Sequence, residues 1–253
     1  MGNRWGWIQR KARLGGDPLH RRALFVLVAC AGVLPAVAFR SFDRRVYLPE
    51  VLDHIERARS LDASQAELAS AHAKVILHDE GLKVFVDYSQ VPSGQLADCQ
   101  SAVNDAIQYW NGVVGPNALT VQDSAAGSDV RLDFRPDVRL NGIQVGGYCS
   151  QSWGVSSSGT DGASHSYNAS ISARLAWPGG RAMSRDYLRN IVTHEFGHVY
   201  GLNDSPDAGR LMSPLSATKP RFDLDTDEAE ALKEIRLTAF SLERDTEARA
   251  KRN

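Results

Sequence analysis

Hydrophobic and polar positions follow two different spacings in the chain beyond residue 82. Short runs of alternating, β-branched or aromatic residues predict strands at 83–88, 129–134 and 171–177. Between the last two, a Gly- and Ser-rich stretch from Gly146 to Ser166 predicts a loop. Strands of this kind interspersed with helices are typical of an α+β domain.

Two segments carry apolar residues three or four positions apart, which is the spacing of a helix with one buried face. The first runs from 96 to 114 and is ended by Gly115. The second runs from 185 to 200, with Ser184 as its expected N-cap and Gly201 suited to a left-handed C-terminal position. We therefore expect two helices that face the core.

The segment 40–81 differs from the chain beyond residue 82, because it is polar and prone to form helices. Its few apolar residues recur at helical spacing: Leu48, Val51, Leu52 and Ile55. We expect this segment to be a helical stalk or a pro-segment. The main domain is then 82–253.

The first 39 residues have the charge pattern of an export signal. Six basic residues precede an uncharged apolar run at 23–39. Ala-Val-Ala at 36–38 offers a site for signal peptidase, and the run also reaches the lower length limit for a membrane anchor. Short patterns around Cys30 and at 20–25 offer a lipobox or a twin-arginine signal instead.

The charge pattern indicates where the chain acts. We expect the N-terminal segment 1–39 to contact the membrane at least during export. The rest of the chain is then extracytoplasmic, either secreted or anchored to the cell membrane. The residues after Phe39 include 23 basic and 29 acidic ones, although the whole chain carries a net charge of -1. This acidic excess argues against a nucleic-acid partner.

The cysteines agree with an oxidising compartment. Cys30 lies in the targeting segment, which leaves Cys99 and Cys149 as a possible disulfide pair. The alternative is that both are independent buried thiols.

The chemistry of the chain is concentrated in the second predicted helix. His194 and His198 are four residues apart, so their imidazoles lie on one face and can bind one zinc ion. Glu195 is then placed to act on water activated by the metal. A catalytic zinc keeps three protein ligands and one open position, so a third ligand is required. Gly201 allows a sharp turn after the helix, so that Asp204 can supply it.

The run HEFGHVYGLND at 194–204, followed by LMSP at 211–214, resembles the H-E-x-x-H-x-x-G-x-x-H/D motif and Met-turn of metzincin peptidases. The L-M-x-P turn resembles that of the matrixin group. The resemblance covers roughly 82–236. It implies a zincin or metzincin-like fold, in which a twisted mixed sheet packs with an N-terminal-subdomain helix, an active-site helix and a C-terminal helix near Asp225.

The resemblance also implies the roles of particular residues. Met212 would lie beneath the zinc, and Pro214 would line the pocket for the substrate residue after the cut bond. Matrixins usually have His as third ligand, and Asp204 is similar to the ligand of snapalysin-like bacterial metzincins. The implied activity is that of a zinc-dependent endopeptidase with one catalytic ion. It would act on peptide or protein substrates, with Glu195 as general base and acid.

Two alternatives remain open at this point. A gluzincin would take its third ligand from a later helix, which offers Glu228, Glu230 and Glu234. A non-catalytic envelope protein would use the zinc structurally or use the groove only to bind peptides. A calcium site is not indicated, because the acidic segment after Asp225 lacks the glycine and oxygen spacing of an EF-hand loop.

Overall fold

The computed structural model describes residues 45–158, 162–216 and 219–250. These residues form five α-helices and seven strands. The helices are α1 (Pro49–Ser60), α2 (Ala66–Leu77), α3 (Leu96–Val114), α4 (Arg185–Val199) and α5 (Thr226–Ala250). The strands are β1 (Leu82–Asp87), β2 (Leu119–Gln122), β3 (Val130–Arg135), β4 (Arg139–Leu140), β5 (Ile143–Gln144), β6 (Gly147–Ser158) and β7 (Gly162–Arg174).

Five of the strands form one sheet in the order β2-β1-β3-β7-β6. The pairs β1–β2, β1–β3 and β3–β7 are parallel, and β6 is antiparallel to β7. The short strands β4 and β5 pair as a separate hairpin. This is the mixed α+β arrangement expected from the sequence, and β6 forms one edge of its sheet.

Alternating burial along the strands places their apolar residues in one core. Val84 on β1 and both Leu132 and Phe134 on β3 are fully buried, whereas the residues between them are more exposed. Helices α3 and α4 pack together, and Trp110 on α3 donates its indole N–H to the carbonyl of Thr193 on α4 at 2.9 Å. This contact fixes the helix that carries the predicted metal ligands.

The segment 40–81 contributes to the same core from residue 47 onward. Val51 and Ile55 on α1 and Val75 on α2 are fully buried, and α2 packs against both β7 and α5. A stalk would stand apart from the domain. Here the packing continues without a break across residue 82, and the described residues belong to one compact unit.

The loop expected between Gly146 and Ser166 is wrong, because nearly all of this stretch belongs to strands β6 and β7. The two strands pair from Gly147 and Ala173 to Ser158 and Gly162. Ser and Gly have low strand propensity, but cross-strand pairing outweighs it here.

The predictions for 1–39, including Cys30 and the site at 36–38, lie outside the described residues. Within the described part of the chain, no helix combines the length and apolar character needed to cross a membrane.

Candidate metal centre

Helix α4 presents two imidazoles on one face. Nδ1 of His194 donates to the carbonyl of Leu211 at 2.9 Å, and Nδ1 of His198 donates to the carbonyl of Leu202 at 2.8 Å. A carbonyl oxygen can only accept, so each Nδ1 carries a proton, and Nε2 of the neutral imidazole offers its lone pair to a metal ion. Both side chains are largely buried, with 14% and 12% of their surface exposed.

Asp204 lies beside these two nitrogens. Gly201 follows α4 with a φ of +89°, a conformation that glycine adopts without strain, and the chain then turns back. Oδ1 of Asp204 is 3.2 Å from Nε2 of His194 and 3.5 Å from Nε2 of His198. All three ligand atoms lie within 4.8 Å of one another.

The two distances from Asp204 suit ligands of one zinc ion. With metal–ligand bonds of about 2.0 to 2.1 Å, ligand atoms around a tetrahedral zinc are roughly 3.3 Å apart. The two distances from Asp204 to the histidines bracket that value. A His₂Asp set is also a chemically suitable donor group for zinc. The described residues therefore offer three candidate ligands for one metal ion.

The loop that carries Asp204 is held on both sides. The amide of Asn203 donates to the carbonyl of Val46 at 2.9 Å, and the amide of Leu48 donates to the carbonyl of Gly201 at 3.0 Å. The amide of Ser205 donates to the carbonyl of Met212 at 2.7 Å. The chain just before α1 therefore helps to position the third candidate ligand.

The charges of the three groups are coupled in the metal-free protein. Burial lowers the pKa of His194, but the hydrogen bond to Asp204 and the charge of Glu195 outweigh it and raise that pKa to about 9. Burial lowers the pKa of His198. The hydrogen bond from His194 lowers the pKa of Asp204. The Asp204 carboxylate thus compensates positive charge at this point, which is what a cation site requires.

Glu195 lies next to the candidate ligands but is not one of them. Its side chain is buried, and Oε2 has no hydrogen-bond partner. Burial raises its pKa to about 7, although the charge of His194 acts in the opposite direction. A buried carboxylate with an unpartnered oxygen and a pKa of about 7 can exchange a proton with a group that enters the cavity.

Gly147, at the start of β6, makes room for that carboxylate. A Cβ at this position would lie only 2.3 Å from Oε1 of Glu195. The sequence did not reveal this role, because the adjacent pair Gly146–Gly147 also favours a loop. Two glycines at the start of a strand can equally signal a close approach by another group.

Met212, which the resemblance placed beneath the zinc, packs against helix α4. Met212 is 1% exposed, and a Cβ on Gly197 would lie 2.3 Å from its sulfur atom. Met212 therefore packs against α4 at Gly197, which lies between His194 and His198 in the sequence. Its neighbour Leu211 is the residue whose carbonyl orients His194.

Glu228 has a structural role that was not predicted. Its carboxylate accepts from the amides of Met212 at 2.8 Å and Leu211 at 3.3 Å. It also forms a capping box with Asp225, in which each side chain accepts from the other's amide. The Asp-x-x-Glu spacing was the signal in the sequence.

The gluzincin alternative is wrong for this structure. Glu228 is committed to the Met-turn, Glu230 is exposed, and Glu234 accepts a hydrogen bond from the hydroxyl of Tyr47 at 3.0 Å. Among the described residues, the group of His, Cys, Asp and Glu side chains that could hold a metal ion contains none of them.

The expected disulfide between Cys99 and Cys149 is not formed, and both thiols are free. Cys99 lies on α3, within electrostatic reach of Tyr88 just after β1, whereas Cys149 lies on β6. Strands β3 and β7 separate β1 from β6, a distance of roughly 14 Å at the usual strand spacing. A disulfide requires the two Cα atoms to be within about 7 Å.

A cavity of about 560 Å³ opens onto the candidate metal ligands. Its lining includes Glu195, the edge of β6 from Gly147 to Cys149, and Pro214, which the resemblance placed in a substrate pocket. Ile191 and Leu215 form part of its apolar wall.

The chain matches a known protein family. The sequence model of the matrixin family matches residues 84–236, which is more than half of the chain. No protein in a curated set matches the chain.

Proposed function

Since the chain belongs to the matrixin family of zinc metallopeptidases, we propose that four of the residues described above form its active site. His194, His198 and Asp204 hold one zinc ion, and Glu195 acts as general base and then as general acid. The substrates are extracytoplasmic proteins.

The ligand assignment is supported by the three atoms that converge within 4.8 Å. The backbone carbonyls of Leu211 and Leu202 each hold the Nδ1 atom of one imidazole, which leaves Nε2 for the metal ion. A zinc ion bound here supplies Lewis acidity toward a water molecule and a peptide carbonyl.

The observation that carries the role of Glu195 is its buried, unpartnered Oε2 beside the ligands. In this position the carboxylate takes a proton from the attacking water and passes it to the nitrogen of the departing amine. Gly147 leaves room for Oε1, because a Cβ at this position would force the carboxylate to move.

The edge of β6 supports an extended peptide as the substrate. β6 lies at the end of the sheet order, so one of its edges is not paired with another strand of that sheet. Gly147, Tyr148 and Cys149 on β6 line the same cavity as Glu195. A peptide that adds to this edge as a strand places its backbone across the ligands.

The extracytoplasmic location is supported by the basic residues that precede the apolar run at 23–39. Protease added to intact cells is expected to degrade the part of the chain after residue 40. Full-length protein that remains protected in the cytosol contradicts this location.

A purely structural zinc protein is not favoured by the site. Structural zinc is usually held by four protein ligands, whereas the described residues provide three and open onto a cavity. The direct experiment is hydrolysis of casein by purified protein. Activity is expected to disappear with a chelator and return with zinc, and persistent activity in the metal-free protein contradicts the proposal.

A further inference from the structure

The active-site cavity contains a positive charge that the proposed chemistry does not use. Arg174 is the last residue of β7, is 5% exposed, and lines the same cavity as Glu195. Its Nε is buried without a hydrogen-bond partner. Among the described residues, none forms a hydrogen bond or close ion pair with its guanidinium.

Burial of this charge is only partly compensated. Burial lowers the pKa of Arg174, and the charge of Asp137 acts in the opposite direction. Both oxygens of Asp137 are already engaged, one by Nε of Arg139 at 2.7 Å and the other by Nε2 of Gln144 at 2.6 Å. A buried cation without a direct partner is costly, so a negative group that enters the cavity gains more here than on the surface.

The position of Arg174 relates it to the cut bond. Its amide donates to the carbonyl of Gly146 at 2.9 Å, and the next residue, Gly147, touches the carboxylate of Glu195. The walls beside Gly146 are apolar, because a Cβ there would meet Leu215 and Ile191. A substrate side chain close to the cut bond therefore enters a region with apolar walls and one buried cation.

We propose that Arg174 is a specificity-determining residue that binds a carboxylate of the substrate. This inference rests on the proposed peptidase function and names its substrate class, peptides with an acidic group close to the cut bond. The guanidinium offers a planar fork of N–H donors that matches a carboxylate. The carboxylate belongs to an Asp or Glu side chain or to the C-terminus of the peptide.

The test uses quenched fluorescent peptides that differ at one position. Glu, Gln and Leu are placed in turn at each of the first three positions after the cut bond. Wild type is expected to favour Glu over Gln by at least about tenfold in kcat/KM at one position, because only Glu forms a charge-assisted pair. A second set of peptides, shortened to end at those positions with a free carboxylate or an amide, separates the two sources.

Variants of two arginines identify the residue responsible. Arg174→Met is expected to reduce the Glu-to-Gln ratio to about one, and Arg174→Lys to keep a ratio above one. Arg135→Met is the matched control, because Arg135 pairs with Arg174 in register but is exposed and bound to Asp133. The ratio is measured within each variant, so it does not depend on how much of that variant is folded. If Arg174→Met does not fold, Arg174→Gln takes its place.

The outcomes separate this inference from the proposed function. Hydrolysis by wild type with equal rates for Glu and Gln peptides, and for acid and amide ends, overturns the role of Arg174 and leaves the peptidase intact. A Glu preference that survives in Arg174→Met also overturns it. If wild type cuts none of the peptides, binding of the Glu and Gln peptides to zinc-loaded Glu195→Ala decides. Binding of the Glu peptide that is about tenfold tighter supports the subsite, and equal binding refutes it.

Discussion

Gly147 is the residue against which the carboxylate of Glu195 rests. A methyl group at this position would lie 2.3 Å from Oε1, so the carboxylate would have to move. A similar constraint applies on the helix side, where Gly197 leaves room for the sulfur atom of Met212. The site therefore depends on glycines that leave space, as well as on the side chains that fill that space.

Gly147→Ala is expected to lower kcat/KM for peptide hydrolysis by at least about tenfold, because a displaced base no longer aligns with its proton. Zinc content is expected to stay near wild type, since no ligand moves. Gly112→Ala is the control, because a Cβ there meets nothing within 4 Å. Equal activity of Gly147→Ala and wild type contradicts this role.

Asp204→Ala is expected to lose most of its zinc at neutral pH, because only two ligands remain. Asp204→His is expected to retain zinc, since an imidazole can complete the set. Metal content after dialysis against a weak chelator measures both. Asp207→Ala, which removes an exposed acid of the same loop, controls for charge alone. Full occupancy in Asp204→Ala would show that the third ligand lies elsewhere.

The positions of these residues were predictable to different degrees. The placement of His194, His198 and Asp204 together follows from local spacing and one glycine turn. Arg174 comes close to the site only through the register of β6 and β7, which a single sequence does not display. The prediction of a disulfide between Cys99 and Cys149 is wrong for the same reason, because a single sequence does not display the strand order.

At the scale of elements, the first turn of α5 supports the Met-turn. The buried carboxylate of Glu228 accepts hydrogen bonds from the backbone amides of Leu211, Met212 and Asp225. The helix that comes after the Met-turn thereby holds the backbone that orients His194.

Glu228→Ala is expected to reduce the free energy of unfolding by about 3 kcal/mol, because it leaves several amides without their acceptor in a buried place. Glu230→Ala, two residues further along the same helix and exposed, is expected to change it little. Urea unfolding measures both variants. Similar stabilities for the two would mean that Glu228 does not hold the turn.

Elements with strong local patterns were predicted closely. The two core-facing helices and the strand at 130–135 lie within a residue or so of their expected positions. The long hairpin of β6 and β7 was not predicted, because its stability comes from pairing between strands whose own residues favour loops.

At the scale of the whole molecule, α1 and α2 join the sheet through buried histidines. His54 on α1 and His72 on α2 are joined by a hydrogen bond of 2.7 Å between their Nδ1 atoms. His78, at the end of α2, lies against Tyr167 of β7. The sequence did not show that α1 and α2 pack on the sheet. A polar segment with few apolar positions resembles a stalk as long as the elements that it packs against are unknown.

Stability is expected to fall as the pH decreases from 6.5 toward 4. Burial lowers the pKa of His54 to about 4 and also lowers that of His72, so the folded state holds the neutral forms. The unfolded chain binds these protons near pH 6.5, so the stabilisation is complete above that pH and is lost below it. Urea unfolding at pH 7.5 and 5.5 measures the change.

The variants His54→Asn and His72→Asn are expected to show a smaller loss of stability over this interval than wild type. His165→Asn is the control, because His165 is exposed on β7. The same pH dependence in all of these proteins contradicts a role for the buried pair.

The most direct test of the account is zinc content and peptide hydrolysis measured together in Glu195→Gln. Glu195 is buried beside the ligands but is not one of them, so its replacement leaves the three ligand atoms in place. The variant is expected to bind zinc and unfold as wild type does, and to hydrolyse peptides at least about a hundredfold more slowly, the scale of a lost general base. Hydrolysis at the wild-type rate by zinc-loaded Glu195→Gln would contradict the account.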